Sequence, residues 1–211
     1  MTQINYALDD EGIKTALDHL AQDCPHIKKA IEQVGYPSER KTDKGYPQLL
    51  RIIAGQQLSV KAAASIWGKI EALMDGSVTP EAYMALSDEA LRGAGCSFQK
   101  IGYGRHLSEA VLNGDLDPFG MDDMSDTDIL NQITAVKGFG RWSAEMYMIF
   151  ALGRTDVWPV GDLAVRKGAG RILGLDAEPH QKEMDDLAER WRPHRSVVAL
   201  LCWYFYANAP L

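Results

Sequence analysis

Two features of the sequence predict an all-α fold: apolar residues recur at three- and four-residue intervals, and no alternating run is long enough for a sheet strand. Leu49, Leu50, Ile52 and Ile53 form one apolar stripe, and Ala62, Ala63, Ile66, Trp67 and Ile70 form a second at helical spacing. Short breaks between such segments predict many helices packed into a compact, two-lobed unit.

In chain order, helices are expected over 10–21, 25–34, 46–56, 59–74, 80–86, 88–93, 98–112, 127–134, 141–152, 162–173, 180–191 and 195–208. Ser59, Thr79, Ser87, Ser125 and Asp162 stand where helices should start, and their side-chain oxygens can accept the unpaired amides of a first turn. Gly76, Gly95, Gly114 and Gly174 stand where helices should stop, since glycine enters the left-handed conformation that ends a helix. An acidic segment around Asp122 separates an Ala-rich first half from a glycine-containing turn, with no internal repeat or low-complexity linker. The lobes are expected near 46–135, a helical barrel, and 1–45 packed with 136–211. The last helix carries the longest apolar run, Val197 to Ala207, whose eleven residues fall well short of the roughly 20 that span a bilayer. It reads as a buried core helix, with no membrane partner.

With 211 residues, 46% hydrophobic and 24% charged, the composition is that of a globular protein. The opening "MTQINYALDDEGIKTAL" lacks the basic start and apolar stretch of a secretory signal, so an intracellular protein is expected. Three dispersed cysteines, Cys24, Cys96 and Cys202, argue against a disulfide framework or a structural zinc site, and they are too few for a four-cysteine iron–sulfur cluster. The five histidines show no metal-ligand spacing. A net charge of −7 opposes a nucleic-acid ligand, but the charge is unevenly spread. Residues 115 to 128 hold six acids and no base, whereas 131 to 174 hold six bases against three acids.

That basic stretch contains the most informative segment, "AVKGFGRWSAEMYMIF". It reads as a helix end, a tight Val-Lys-Gly-Phe-Gly turn and a new helix from Arg141. From spacing alone it is equally well a plain αα-hairpin, which often has glycine in its turn. The physics of the turn offers a second reading: Gly138 and Gly140 let the backbone approach a phosphate, the amides of the new helix form an anion site, and Lys137 and Arg141 add charge. Further on, "WPVGDLAVRKG" places Asp162 at a helix start, after a loop long enough to return it towards the hairpin. Asp162 needs no role beyond capping, yet a carboxylate beside a phosphate-binding turn could stabilise positive charge developing on a deoxyribose. The stretch "GAGRIL" superficially looks like a dinucleotide loop, but Leu173 takes the third glycine position and no strand precedes it.

The blocks "RIIAGQQLSVKAAASIW", "AVKGFGRWSAEMY", "DVWPVGDLAVRKG" and "WRPHRSVVALLCWY" together resemble the helix-hairpin-helix DNA glycosylases that have a Gly/Pro-rich loop and a catalytic aspartate (HhH-GPD), specifically the 3-methyladenine DNA glycosylase II type. They follow the family's order and approximate spacing over much of residues 46 to 206. The resemblance implies two helical lobes with a DNA-facing cleft, and a larger relative's extra N-terminal domain has no room here. It implies that Asp162 is the catalytic aspartate of N-glycosylic bond hydrolysis, stabilising an oxocarbenium-like transition state or orienting water. Bifunctional relatives carry a lysine nucleophile where this chain has Trp142, and an indole cannot form a Schiff base, so a monofunctional enzyme is expected.

By the same resemblance Trp142 and Trp203 wall the pocket for an extruded base, with Met146 one turn on from Trp142 where the best-known relative has tyrosine. Gln57, flanked by Gln56 and Leu58, matches the residue that fills the gap left in the duplex; a polar pair capping a helix end is the plainer reading. Lys100 is either a phosphate contact or a solvated lysine. Lys137, Gly138, Gly140 and Arg141 would bind DNA. Backbone carbonyls of Thr134, Val136 and Phe139 match those that hold a structural monovalent cation, sodium or potassium. The expectation is therefore a monomeric base-excision enzyme on double-stranded DNA with damaged bases, cytoplasmic with the nucleoid or nuclear in a eukaryote, releasing 3-methyladenine and 7-methylguanine without a cofactor or iron–sulfur cluster. The rivals are a glycosylase for other damaged bases and a non-catalytic protein that binds damaged DNA.

Overall fold

A computed structural model describes residues 5–210, and it is helical throughout, with no strand among the described residues. The helices are α1 (Asp10–Asp23), α2 (Pro25–Val34), α3 (Tyr46–Gly55), α4 (Val60–Leu73), α5 (Pro80–Ala85), α6 (Asp88–Ala94), α7 (Phe98–Leu112), α8 (Asp126–Ala135), α9 (Arg141–Phe150), α10 (Leu163–Leu173), α11 (Gln181–Ala188) and α12 (Arg195–Asn208), with a 3-10 turn at Glu189–Trp191. All five expected N-caps accept first-turn amides. Asp9 and Ser97 do the same for α1 and α7, which the sequence reading did not anticipate. Gly95 and Gly174 close α6 and α10 in the left-handed conformation.

Contacts divide the chain into two units, one formed by the residues up to Lys41 and from Met148 onward, the other by Thr42–Tyr147. The hairpin turn and most of α9 thus belong with α3–α8, whereas the sequence reading drew the line after residue 135.

In the first unit, α1, α2, α10, α11 and α12 bury one continuous core, including Leu17, Leu20, Val165, Ala169, Trp191, Val198 and Leu201. Burial of this kind contributes roughly 25 cal/mol per Å² of apolar surface. α12 is the central element: its residues 196–202 are all buried. No helix is long and apolar enough to cross a membrane, among the described residues. Glycine makes the α10–α12 packing possible, because a Cβ on Gly168 would stand 2.2 Å from the Cys202 carbonyl oxygen. This helix-packing contact accounts for Gly168, the first glycine of the "GAGRIL" stretch.

In the second unit, Leu49, Leu50 and Ile53 of α3 and Trp67 and Ile70 of α4 are buried, as their stripes predicted, while Ile52 and Ile66 are half-buried. Tyr147 of α9 ties two loops together: its hydroxyl donates to the Pro118 carbonyl at 2.8 Å and accepts the Gly45 amide at 2.9 Å. The acidic segment is thereby held to the start of α3, with Lys44 paired to Asp122 at 2.5 Å.

Candidate active site

The second unit carries the hairpin. α8 ends at Ala135, Val136 and Phe139 turn inward with 8% and 7% exposure, and α9 begins at Arg141. The Phe139 amide donates to the Val136 carbonyl at 3.1 Å, and the Gly140 carbonyl accepts the amides of Ser143 and Ala144, which makes Gly140 the first turn's acceptor. The two glycines have different surroundings. Gly138 has φ +107°, and a Cβ there would lie 2.4 Å from the Tyr103 ring. Around Gly140 a Cβ would meet nothing within 4 Å, and its φ is not in the left-handed region.

The loop after α3 is fastened to this turn. Gln56 Nε2 donates to the Gly138 carbonyl at 2.9 Å and to Ser143 Oγ at 3.3 Å. Lys100 Nζ donates to the Ala54 carbonyl at 2.9 Å, so this lysine braces the end of α3, and burial lowers its pKa. With Gln56 turned inward, Gln57 and Leu58 are exposed, and Gln57 holds a left-handed φ of +57°. Such a conformation in a non-glycine residue costs of order 1–2 kcal/mol and is typical of positions under functional constraint. Sequence reasoning singled out Gln57 and missed the anchoring role of its neighbour.

The bases of the locally positive stretch 131–174 are partly engaged within their own units. Arg141 Nε donates to Glu145 Oε1 at 2.7 Å, and Glu145 is only 3% exposed. Arg166 pairs with Glu178 at 2.7 Å, and Arg171 Nη2 donates to the Pro210 carbonyl at 2.6 Å. Lys137 is exposed in the turn itself. Trp142, in the first turn of α9, is 37% exposed, and Met146 is buried at 6%. Thr134 stands in the last turn of α8, where carbonyls lack intrahelical amides, while the Val136 carbonyl already accepts the Phe139 amide.

The first unit carries the aspartate. Asp162 is the N-cap of α10, and its Oδ1 accepts the amides of Ala164 at 2.9 Å and Val165 at 3.0 Å. The same oxygen accepts Trp203 Nε1 at 3.0 Å, which brings together two residues that the sequence separates by forty-one positions. The preceding strap is anchored to α12: Val157 donates to Ser196 Oγ at 2.9 Å, and Asp156 pairs with both Arg192 and Arg195 at 2.7 Å. The carboxyl group is therefore held in one orientation by a cap, an indole and a fastened loop.

Trp203 is half-buried and packs against Phe150 with ring centroids 5.6 Å apart. The Arg40 guanidinium lies over both rings, 4.9 Å from the Phe150 centroid and 5.8 Å from that of Trp203. Neither Arg40 nor Phe150 was singled out from sequence: Phe150 only closes the apolar run of the hairpin's second helix, and no motif marks Arg40.

Residues 50–193 match the HhH-GPD superfamily of base excision DNA repair proteins. The chain belongs to this superfamily. The matched stretch contains Gln57, the hairpin and Asp162, while Arg40 and Trp203 lie outside it. Among HhH-GPD relatives, DNA-3-methyladenine glycosylase 1 of Schizosaccharomyces pombe is 31% identical over 214 residues, covering 96% of this chain and 92% of the relative. Of solved structures, a DNA-3-methyladenine glycosidase from Bacillus halodurans matches with a TM-score of 0.80 and 35% identity over 92% of this chain and 89% of that one. The S. pombe 3-methyladenine DNA glycosylase in complex with abasic DNA matches with a TM-score of 0.82 and 30% identity over 91% of this chain and 95% of that one. The all-α HhH-GPD fold expected from the sequence is thus the fold of the chain.

Proposed function

We propose that the protein is a monofunctional DNA glycosylase of the 3-methyladenine type, hydrolysing the N-glycosylic bond of alkylated purines in double-stranded DNA. The observation that carries this reading is the fixed Asp162 carboxyl, bonded through Oδ1 to two amides of α10 and to the Trp203 indole. The relatives named DNA-3-methyladenine glycosylase support the substrate class.

In the reaction, the C1′–N bond breaks with its electron pair going to the base, and water supplies a hydroxyl to C1′ and loses a proton. An alkylated purine is already cationic, so its departure neutralises it and needs no separate proton donor. What remains is a deoxyribose cation, and a held carboxylate stabilises it by charge or takes the water's proton. In the unit of the hairpin, Lys137, Gly138, Gly140 and Arg141 would hold a phosphate, Gln57 would fill the vacated stack, and the resemblance gives Trp142 and Met146 to base recognition; in the unit of the aspartate, Trp203 would take the extruded base. The carbonyls of Thr134, Val136 and Phe139 would hold a sodium or potassium ion, whose charge would add to the hairpin's attraction for DNA phosphate. Trp142 supports the monofunctional part of the reading, since an indole supplies no amine for a lyase step.

Methylated duplex DNA incubated with wild type and with Asp162→Asn tests the reading through released base. Asparagine keeps a good cap and an oxygen acceptor for Trp203 but removes the charge. Release should fall by at least about 100-fold, the scale of losing one charge-stabilising group. No release by either protein leaves a DNA-binding role instead. Borohydride added to the wild-type reaction should trap no adduct; a covalent complex would mean that a lysine is the nucleophile.

A further inference from the structure

Arg40 is the feature of the first unit that the proposed mechanism leaves unused. It stands in the irregular segment between α2 and α3, which is pinned at two points: Tyr36 Oη donates to Asp18 Oδ1 at 2.5 Å, and the Glu39 amide donates to Asp10 Oδ1 at 2.6 Å. Those anchors on α1 carry the next residue to the rings of Phe150 and Trp203. Among the described residues its guanidinium makes no hydrogen bond or ion pair, although it has five donors. Trp203 is the same side chain whose Nε1 bonds Asp162. The residue as a whole is exposed, yet protein around the guanidinium lowers its pKa, and the charge of Asp162 works in the opposite direction. An uncommitted cation therefore sits on the aromatic face and within the field of the carboxylate.

We propose that Arg40 is a specificity-determining residue that acts through Trp203 to favour uncharged damaged bases over cationic ones. This rests on the glycosylase reading, and Arg40 narrows the margin by which cationic alkylated purines are preferred without reversing it. Two effects lead to it. A guanidinium on the indole takes up the ring's attraction for positive charge, so a cationic base either competes with Arg40 for the same face or stacks on an indole already polarised from behind. Conversely, a neutral base leaves with an electron pair and develops negative charge, which a nearby guanidinium with unpaired donors stabilises. Both effects move the discrimination in one direction, whichever face of Trp203 the base uses.

The test compares kcat/KM on two duplexes identical except for the lesion, 7-methylguanine at a pH where it is cationic and hypoxanthine as the neutral base. In Arg40→Gln the ratio of cationic to neutral excision should rise by about 2- to 30-fold, the range for one cation–π contact. Arg40→Lys, which keeps the charge, should restore most of the wild-type ratio. A folded Arg40→Gln protein with an unchanged ratio overturns the proposal. So does an equal loss on both substrates, which would assign Arg40 to phosphate binding or to stability. Excision of neither base by the wild type would remove the glycosylase reading itself, and the proposal with it.

Discussion

Gly138 has φ +107° with the Tyr103 ring 2.4 Å from where a Cβ would stand, whereas Gly140 has open space and an ordinary φ. A side chain at Gly138 is opposed by the protein's own backbone and packing. A side chain at Gly140 is opposed only by whatever approaches from outside. Gly138→Ala should therefore lose about 2 kcal/mol or more of stability, combining left-handed strain with a clash against Tyr103. Gly140→Ala should stay within about 1 kcal/mol of wild type in denaturant unfolding. Its affinity for duplex DNA should nevertheless fall by about tenfold, the effect of losing roughly 1.4 kcal/mol of close phosphate contact. Unchanged DNA affinity in folded Gly140→Ala would show that no phosphate comes near that backbone.

The helices were legible because their signals are local. The Ser and Thr caps of α4, α5, α6 and α8 lie in the residues that open each helix, and the apolar stripes of α3 and α4 repeat within two turns. The continuous helix expected over 180–191 instead gives way to a 3-10 turn at Glu189–Trp191, just ahead of Pro193. Pro193 has no amide to give the Glu189 carbonyl four residues back, and that carbonyl instead accepts the Arg192 amide in the tighter 3-10 pattern. In the site, the hairpin and Asp162 were legible as a resemblance carried by contiguous motifs. Gln56 on Gly138 and Arg40 on Trp203 were not, because each contact joins residues more than eighty positions apart with no repeating pattern. The entry of α12 is a similar case. His194 is buried at 1%, with its Nδ1 hydrogen-bonded to the Tyr6 hydroxyl at 3.1 Å, its ring tilted against that of Tyr6 and edge-on to His19; burial chiefly, and His19 next, lower its pKa from 6.5, while Asp156 raises it. Above about 6.5 the imidazole is neutral in both folded and unfolded chains and adds no pH slope. Below it the unfolded chain takes a proton that the folded one resists, so stability is lost as pH falls through that window. Urea unfolding should show a steeper loss between about pH 7 and pH 5 for wild type than for His194→Gln. Equal slopes would mean that His194 is as easily protonated in the folded state as in the unfolded chain.

Across the whole molecule, 22 basic against 29 acidic residues give a net charge of −7, an unusual balance for a protein expected to grip a polyanion. The bases of the locally positive stretch are also partly engaged within the chain: Arg141 with Glu145, Arg166 with Glu178, and Arg171 with the Pro210 carbonyl. Lys137 stands out by contrast, exposed in the hairpin turn. Binding that relied on counterion release would need many such groups, since the slope of log K against log salt is about −0.9 per phosphate neutralised. Affinity here should come instead from backbone amides at the hairpin and from stacking of the extruded base, neither of which releases many ions. The expected slope for a duplex carrying an abasic analogue is therefore shallow, about −3 or less in magnitude, and Lys137→Ala should reduce it by about 0.9. Fluorescence anisotropy across a salt series measures both. A slope of about −6 or steeper would mean that the arginines now seen in internal pairs exchange those partners for phosphates when DNA binds.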